Sequence, residues 1–384
     1  MKISRFLRQC IAIAQLLFAI RVLWRMVRSA GGARIQQDDE RMAGEARVAI
    51  IVPVLNEYQR LTPCLEGLIL QGTAVHEILL VDGGSTDGTQ DLVAVYSQRD
   101  PRVRLVDASP VPAEWNGKAW GLQTGLPAVQ TPVDWILTLD ADVQPARQLT
   151  PALLGRANQQ HLSALSVATR QEIASVGEGL LHPSFLTTLV YRFGMPGKAA
   201  RNMHEVQANG QCFLLRRSVL DACGGFINTR SSICEDVTIA RLLTRAGYPV
   251  GFFEADDLIT VKMYSDWREL WHNWSRSLPM HDYLSGPYTA LGWLEVALVQ
   301  ALPLPCLLFL LIRRKRGLLV VVNGILAAIR IGVLFGTSHA YKQKPWSYWL
   351  SPLCDLPVTL QLARMVLQRR HVWRGRVIVR QGGK

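Results

Sequence analysis

Apolar positions along the chain fall into two regimes. In the first, short runs rich in β-branched residues alternate with helically spaced segments. Val48-Ala49-Ile50-Ile51-Val52-Pro53-Val54, Glu77 to Asp82 and Arg102 to Asp107 have the composition of buried parallel strands. Leu61 to Leu70 has helical spacing, and Gly83-Gly84-Ser85-Thr86-Asp87-Gly88-Thr89 is a turn in which Ser85, Thr86 or Asp87 can cap a helix running to about Arg99. A further helix opens in Glu114-Trp115-Asn116-Gly117-Lys118-Ala119-Trp120, and Trp135 to Leu139 is a fourth strand. Leu162 to Thr169 reads as another strand, Val176 to Phe193 as a helix, and Val206 to Leu215 as a strand interrupted by Asn209-Gly210-Gln211. A helix starts at Cys234-Glu235-Asp236 and ends near Gly247, and Val250 to Phe253 is the last short strand. Alternating strands and helices predict an α/β fold with a doubly wound sheet, whose ligands bind at the carboxyl ends of the strands.

The second regime is long and continuously apolar. Thr289 to Ile312 carries one charge, Glu295, and Gly317 to Gly336 carries one, Arg330; both are long enough to span or enter a bilayer. Trp346 to Leu367 contains Asp355, Arg364 and prolines, so an interfacial position and a crossing both fit. Cys10 to Val27 carries Arg21 and Arg25 and is followed by no small-x-small cleavage site, which reads as an uncleaved anchor or an interfacial amphipathic helix. The expected organisation is a basic, apolar anchor and linker at 1–46, a catalytic domain at 47–285, and membrane-embedded or interfacial helices with a basic tail at 286–384.

Charge changes the picture only through its placement. The net charge is +12, but it divides as +5 over residues 1–47, −5 over 48–284 and +12 over 285–384. A nucleic-acid-binding domain would carry its basic residues on the folded core, so nucleic acid is excluded as a partner and a bilayer surface is favoured. The seven cysteines form no C-x-x-C pair, which suggests neither a zinc site nor a disulfide framework and fits a reduced, cytoplasm-facing domain.

Candidate chemistry gathers at strand ends. Ile136-Leu137-Thr138-Leu139-Asp140-Ala141-Asp142 is an apolar run closing on two carboxylates one residue apart, and strand periodicity lets Asp140 and Asp142 converge on one point. Oxygen ligands there suit a hard divalent cation carrying phosphates, although an acidic turn alone would read the same way. Glu235 and Asp236 begin a helix, where an N-terminal cap would also account for them. Asp82, Asp140, Asp142, Glu235 and Asp236, with Lys118, point to a phosphate-bearing ligand held through a cation. No G-x-x-x-x-G-K-[ST] loop, no G-x-G-x-x-G after the first strand and no G-x-S-x-G elbow is present, which disfavours ATPase, dinucleotide and α/β-hydrolase readings.

Val52-Pro53-x-x-Asn56-Glu57, Val81-Asp82-Gly83-Gly84-Ser85-Thr86-Asp87-Gly88-Thr89, Asp140-Ala141-Asp142 and Glu235-Asp236, in this order, resemble the family 2 glycosyltransferases of GT-A fold over roughly residues 47–285. Trp115-x-Gly117-Lys118, Gly210-Gln211 and Gly224-Gly225-Phe226 are similar to the subset related to ceramide glucosyltransferase and to hopanoid-associated and carotenoid enzymes. The resemblance implies that Asp82 bonds the donor's base, that Pro53 and Glu57 shape the nucleotide pocket, that Asp140 contacts ribose or shares the metal, and that Asp142 ligates Mg²⁺ or Mn²⁺. Lys118 would pair with a phosphate or a sugar hydroxyl, or be a surface lysine at a helix start. Asp236 would be the general base, with Glu235 its neighbour in the network. Arg276 would supply a cation beside the leaving diphosphate or belong to an interfacial Trp/Arg helix, and Gln211 and Trp274 are acceptor-side candidates.

The implied activity is inverting transfer of one hexose or deoxyhexose from a UDP- or GDP-sugar to a membrane lipid hydroxyl, with a lean towards a carotenoid or other terpenoid alcohol. A processive or polyprenyl-phosphate-directed transferase is the enzyme alternative, and a non-catalytic nucleotide-sugar-binding membrane scaffold is the alternative of another class. Two departures from the family stand out: Gly83 follows Asp82 where a second acid is usual, and the terminal Q/R-x-x-R-W element is missing, with Trp271-x-x-Trp274-Ser275-Arg276 nearest to it. A full crossing by Thr289 to Ile312 from a cytoplasmic domain would put Arg313-Arg314-Lys315-Arg316 outside, against the positive-inside rule, so a re-entrant or tilted hairpin at Pro303 and Pro305 is expected.

Overall fold

The computed structural model describes residues 5–42, 44–200, 202–264, 266–280, 282–368, 370–373 and 376–379. The chain divides into two units, one built from Gly32–Gln171, Pro196–Met263 and the residues from Arg370, the other from the N-terminal residues to Gly31, Glu172–Met195 and Tyr264–Arg369. This division runs through the 47–285 segment: the helix Val176–Phe193 and the chain after Met263 belong with the helical unit. The basic tail ends in two short antiparallel strands, Arg370–Trp373 and Arg376–Val379, with its last residues outside those described.

The α/β unit is built on β1 (Val48–Val54), β2 (Val75–Asp82), β3 (Val103–Asp107), β4 (Trp135–Leu139), β5 (Val143–Pro145), β6 (Ala164–Ala168), β7 (Arg170–Glu172), β8 (Lys198–Ala199), β9 (Cys212–Arg216), β10 (Val250–Glu254) and β11 (Ile259–Val261). The large sheet has the order β3-β2-β1-β4-β9-β6-β10-β8, parallel except where β9 and β8 run against their neighbours. β1 lies between β2 and β4, which is why its sequence is almost wholly apolar: both of its faces are covered. The helix Gly117–Ala128 packs on it through Gly121 and Gly125, and a Cβ at 125 would lie 2.7 Å from Ile51 Cγ2 and 2.9 Å from Val81 Cγ2.

Two pairings position the site. β4 runs antiparallel to β9 with Leu139 opposite Cys212, so the turn before β9 faces the carboxyl end of β4. β5 follows Asp142 at once and pairs with β11 in a second, smaller sheet, Val143 opposite Val261. Asp140-Ala141-Asp142 is thus the point where the chain leaves the large sheet for the small one.

Some elements are shorter than their patterns suggest. The strand expected over Val206 to Leu215 exists only from Cys212, because Asn209 is held as a loop by Ser166, whose Oγ accepts from its N–H at 2.7 Å. The helix expected from Glu114 starts at Gly117 instead: Asn116 is extended, and its side chain accepts from the Lys118 N–H.

In the helical unit, Phe6–Ser29 and Leu318–Ala340 are long and apolar enough to cross a membrane. The Thr289–Ile312 segment is not one straight span. Gly286–Glu295 continues through the π-helical Val296–Ala301 into Pro303–Ile312 with a bend of 40°. Trp346–Leu367 is also broken, into a 3₁₀ stretch Trp346–Cys354 and the helix Asp355–Leu367. The charges that stood alone in the apolar sequence are paired inside this unit. Arg330 Nε donates to Asp355 Oδ2 at 2.8 Å, and Asp355 Oδ1 also accepts from Ser184 and Gln300. Gln15 and Asn323 donate to each other's side-chain oxygens at 2.9 and 3.1 Å.

Candidate active site

Lys118 stands at the centre of the acidic cluster. Its Nζ lies 2.6 Å from Asp140 Oδ1 and 2.8 Å from Glu235 Oε1, bridging the end of β4 to the start of the helix Glu235–Arg245. Asn116 makes this possible: its Oδ1 caps the helix that carries Lys118, its Nδ2 donates to the Ser232 carbonyl at 2.9 Å, and its N–H donates to the Arg230 carbonyl at 2.7 Å. One asparagine therefore ties the lysine's helix to the loop that leads into Glu235.

Gly210 closes the third side. Its N–H donates to Asp236 Oδ2 at 2.5 Å, and a Cβ there would collide with Lys118 Nζ and lie 3.0 Å from Glu235 Oε1, so a larger residue would displace the ammonium from between the acids. Neither Asn116 nor Gly210 stood out as functional in the sequence. The signal for the first was an N-cap residue type directly before Gly117-Lys118; Gly210-Gln211 was marked only through the family resemblance, because the crowding comes from two other elements, the helices that carry Lys118 and Glu235-Asp236.

The electrostatics follow from this packing. Burial works against the Lys118 charge, but Asp140, Glu235 and Asp236 outweigh it and hold the ammonium well above the usual lysine range. Burial, then the neighbouring Glu235 charge, pushes the Asp236 carboxyl up to about 7, against the pull of Lys118. Burial, then Asp140 and Glu57, pushes Asp142 up to about 7 as well. Asp142 Oδ1 is buried and has no hydrogen-bond partner among the described residues. An orphaned carboxylate oxygen in a half-buried acidic turn has the chemistry of a ligand for a divalent cation. Asp140 stands beside it with Oδ1 already turned to Lys118. No cluster of three or more His, Cys, Asp or Glu residues suited to a metal occurs among the described residues, so further ligands would have to come from a bound phosphate and water.

The remaining expected residues take more specific places. Asp82 is buried and accepts from the Gly84 and Ser85 N–H groups, Ser85 Oγ and Gln90 Nε2. These donors make Asp82 the organiser of the turn after β2. A Cβ at Gly83 would make ordinary van der Waals contact with Val111 Cγ2 and the Val54 carbonyl, each 3.7 Å away. Pro53 lies under Gly121, and Glu57 acts on Asp142 through its charge. Gln211 is buried, its amide oxygen accepting from Thr169 Oγ1 and Asn209 Nδ2, which braces the turn carrying Gly210. Trp274 and Arg276 lie on Trp267–Ser277 in the helical unit, where Trp274 stacks on His182 with ring centroids 4.2 Å apart.

Residues 49–224 match Glycosyl transferase family 2. A family 2 glycosyltransferase domain thus occupies a little under half of the chain. Among curated relatives, it is 24% identical over 65% of its length to a 4,4'-diaponeurosporenoate glycosyltransferase of Staphylococcus haemolyticus, 66% of which is covered. It is 32% identical over 33% of its length to an undecaprenyl-phosphate 4-deoxy-4-formamido-L-arabinose transferase of Pseudomonas aeruginosa, 37% of which is covered. The chain thus spans less than two thirds of the length of these relatives. A mannosyltransferase of Pyrobaculum calidifontis, solved with GDP-mannose and Mn²⁺, superimposes with a TM-score of 0.56 at 17% identity over 94% of this chain and 98% of its own. That likeness establishes the GT-A fold.

Proposed function

We propose that the chain is an inverting glycosyltransferase that moves one sugar from a nucleotide-sugar donor to the hydroxyl of a membrane lipid. The observation that carries this reading is the Lys118 bridge, which joins the acids after β4 to Glu235 and Asp236 in one cluster. The donor's diphosphate would lie at Asp142 with Mg²⁺ or Mn²⁺, in line with the metal-bound, GDP-mannose-bound relative of the same fold. A bound cation would neutralise charge on the departing nucleoside diphosphate. Lys118, positioned by Asp140, supports the same charge from the protein side.

Asp236 is the base. Its Oδ2 accepts the Gly210 N–H and its Oδ1 accepts the Val237 N–H, which fixes the carboxylate plane while leaving lone pairs for a hydroxyl proton. A carboxyl raised to about 7 takes that proton near neutral pH, where a base of matched pKa is most effective. Attack from the side of Asp236, opposite the leaving diphosphate, inverts the anomeric centre.

A lipid acceptor is supported by the apolar helices in the same chain, and the catalytic domain would then face the cytoplasm. The likeness to a diaponeurosporenoate glycosyltransferase favours a carotenoid or related terpenoid acceptor. The shorter, 32% identical match to an undecaprenyl-phosphate sugar transferase supports a polyprenyl phosphate acceptor as the second reading. The test is donor hydrolysis and transfer by the purified full-length protein with a UDP- and GDP-sugar panel, Mn²⁺ or Mg²⁺, and extracted lipids. Turnover abolished by Asp236→Asn, with donor binding retained, is expected. Binding without turnover, unaffected by Asp236→Asn, overturns the enzyme reading in favour of a nucleotide-sugar-binding scaffold.

A further inference from the structure

Two basic segments far apart in sequence meet at one end of the helical unit. The helix Arg5–Ser29 runs against the segment that follows Gly286: Gln15 Nε2 donates to the Leu298 carbonyl at 3.1 Å, and further along the helix Arg21 and Arg25 reach back to Glu295. Pro303–Ile312 and Leu318–Thr337 are joined by a short turn in which the Arg314 and Lys315 N–H groups donate to the Leu311 and Leu310 carbonyls at 2.9 and 2.8 Å, so the chain reverses. After two reversals Arg5–Ser29 and Leu318–Thr337 are parallel, and the reciprocal bonds of Gln15 and Asn323 hold them side by side. The start of the first helix and the turn Arg313-Arg314-Lys315-Arg316 thus share one end of the unit.

Charge at this end has no acid to balance it. All four turn residues are exposed, Arg8 is half-buried, and no carboxylate among the described residues pairs with the turn. Residues 1–37 contain no Asp or Glu, and neither do residues 296–354. Deeper in the unit the opposite holds, Arg21 and Arg25 meeting Glu295 and Arg330 meeting Asp355. A charge run alone is an ordinary solvated surface, but apolar surface begins directly beside this one. Phe309 and Ile312 before the turn, Leu318 and Val321 after it, and Phe6 and Ile13 on the first helix are exposed, Ile312 to 80% and Phe6 to 75%. Cations bordering an exposed apolar shaft match the boundary between headgroups and acyl chains, where each Lys or Arg gains about 1 kcal/mol from anionic lipid.

We propose that the Arg313–Arg316 turn and the start of Arg5–Ser29 form one basic cap, seated in the headgroup layer of a single membrane face and binding the phosphates of anionic phospholipids there. The cap is separate from the transfer site. Sealed vesicles of both orientations carrying the full-length protein are treated with a membrane-impermeant amine reagent, and modified peptides are read by mass spectrometry. Lys2 and Lys315 are expected to react from the same face, and reaction from opposite faces overturns the shared end. For the lipid, the protein is incubated in detergent with equal phosphatidylglycerol and phosphatidylcholine, and retained lipid is counted by native mass spectrometry. Phosphatidylglycerol is expected to be retained in preference, less so as salt rises. Arg314→Gln should reduce that preference about fivefold, and neutralising all four turn residues to Gln should abolish it. The melting temperature should stay that of the parent, because backbone N–H groups make the turn's hydrogen bonds. Asp236→Asn should retain phosphatidylglycerol like the parent, which separates this surface from the transferase reading. Equal retention of the two lipids by the parent, or an undiminished preference in the fourfold Gln variant, overturns the proposal.

Discussion

Replacing Lys118 with methionine removes one positive charge from between Asp140 and Glu235 while keeping the length of the side chain. At 2.6 and 2.8 Å each contact represents about 6 kcal/mol of gross Coulomb attraction at an effective dielectric near 20. Desolvation offsets most of it, but stripping the partner from a largely buried pair leaves a net loss of about 3 kcal/mol or somewhat more. The informative readout is the pH profile. Asp236 is held at about 7 by burial and Glu235 against Lys118, so losing Lys118 moves it further up. A base acts when deprotonated, so activity rises with pH through this value. An upward move of about one unit lowers the deprotonated fraction at pH 7 from about a half to about a tenth, roughly a fivefold loss recovered near pH 9. The assay is kcat/KM for transfer or donor hydrolysis from pH 5.5 to 9.5, with the parent midpoint near 7. A Lys118→Met midpoint identical to the parent's would refute the reasoning, because the ammonium could not then be part of the base's surroundings.

Asp142→Ala should abolish metal-dependent donor binding in titration calorimetry while leaving the melting temperature within a degree or two of the parent, since Oδ1 bonds nothing in the fold and the carboxyl's one backbone hydrogen bond is to its own residue. Asn116→Ala should cost about 0.5–2 kcal/mol in stability as a lost cap and lower kcat more than it raises KM, because it unties Lys118 from the loop before Glu235; equal kcat would argue against that role. Asp355→Leu should destabilise the helical unit by about 3–5 kcal/mol by stranding buried Arg330, measured by thermal unfolding in detergent, and Asp355→Leu with Arg330→Met should recover much of it.

Much of the α/β unit was legible because its determinants are local. The runs that form β1, β2 and β4 are apolar in sequence because both faces of those strands are covered, and each ends on polar residues where the sheet ends. The acids after β4 and at the start of the helix Glu235–Arg245 were visible for the same reason, as were the helices long enough to cross a membrane. What the sequence could not reveal were pairings between distant segments. Asp82 reads as an acid at a strand end, and only the fold shows Ser85 and Gln90 bonding it and Thr169 bonding the Gln211 oxygen. Arg330, Asp355 and Glu295 read as isolated charges in apolar runs, and packing turns them into buried ion pairs with partners 25 to 274 residues away. The sequence by itself determined which segments are strands, which are apolar helices and which side chains could do chemistry, because periodicity and residue type act over a few neighbours. The tertiary structure alone decided that Lys118 is the bridge between donor-side and base-side acids, because that depends on β4 pairing antiparallel with β9 and on Gly210 leaving room for an ammonium between three carboxylates.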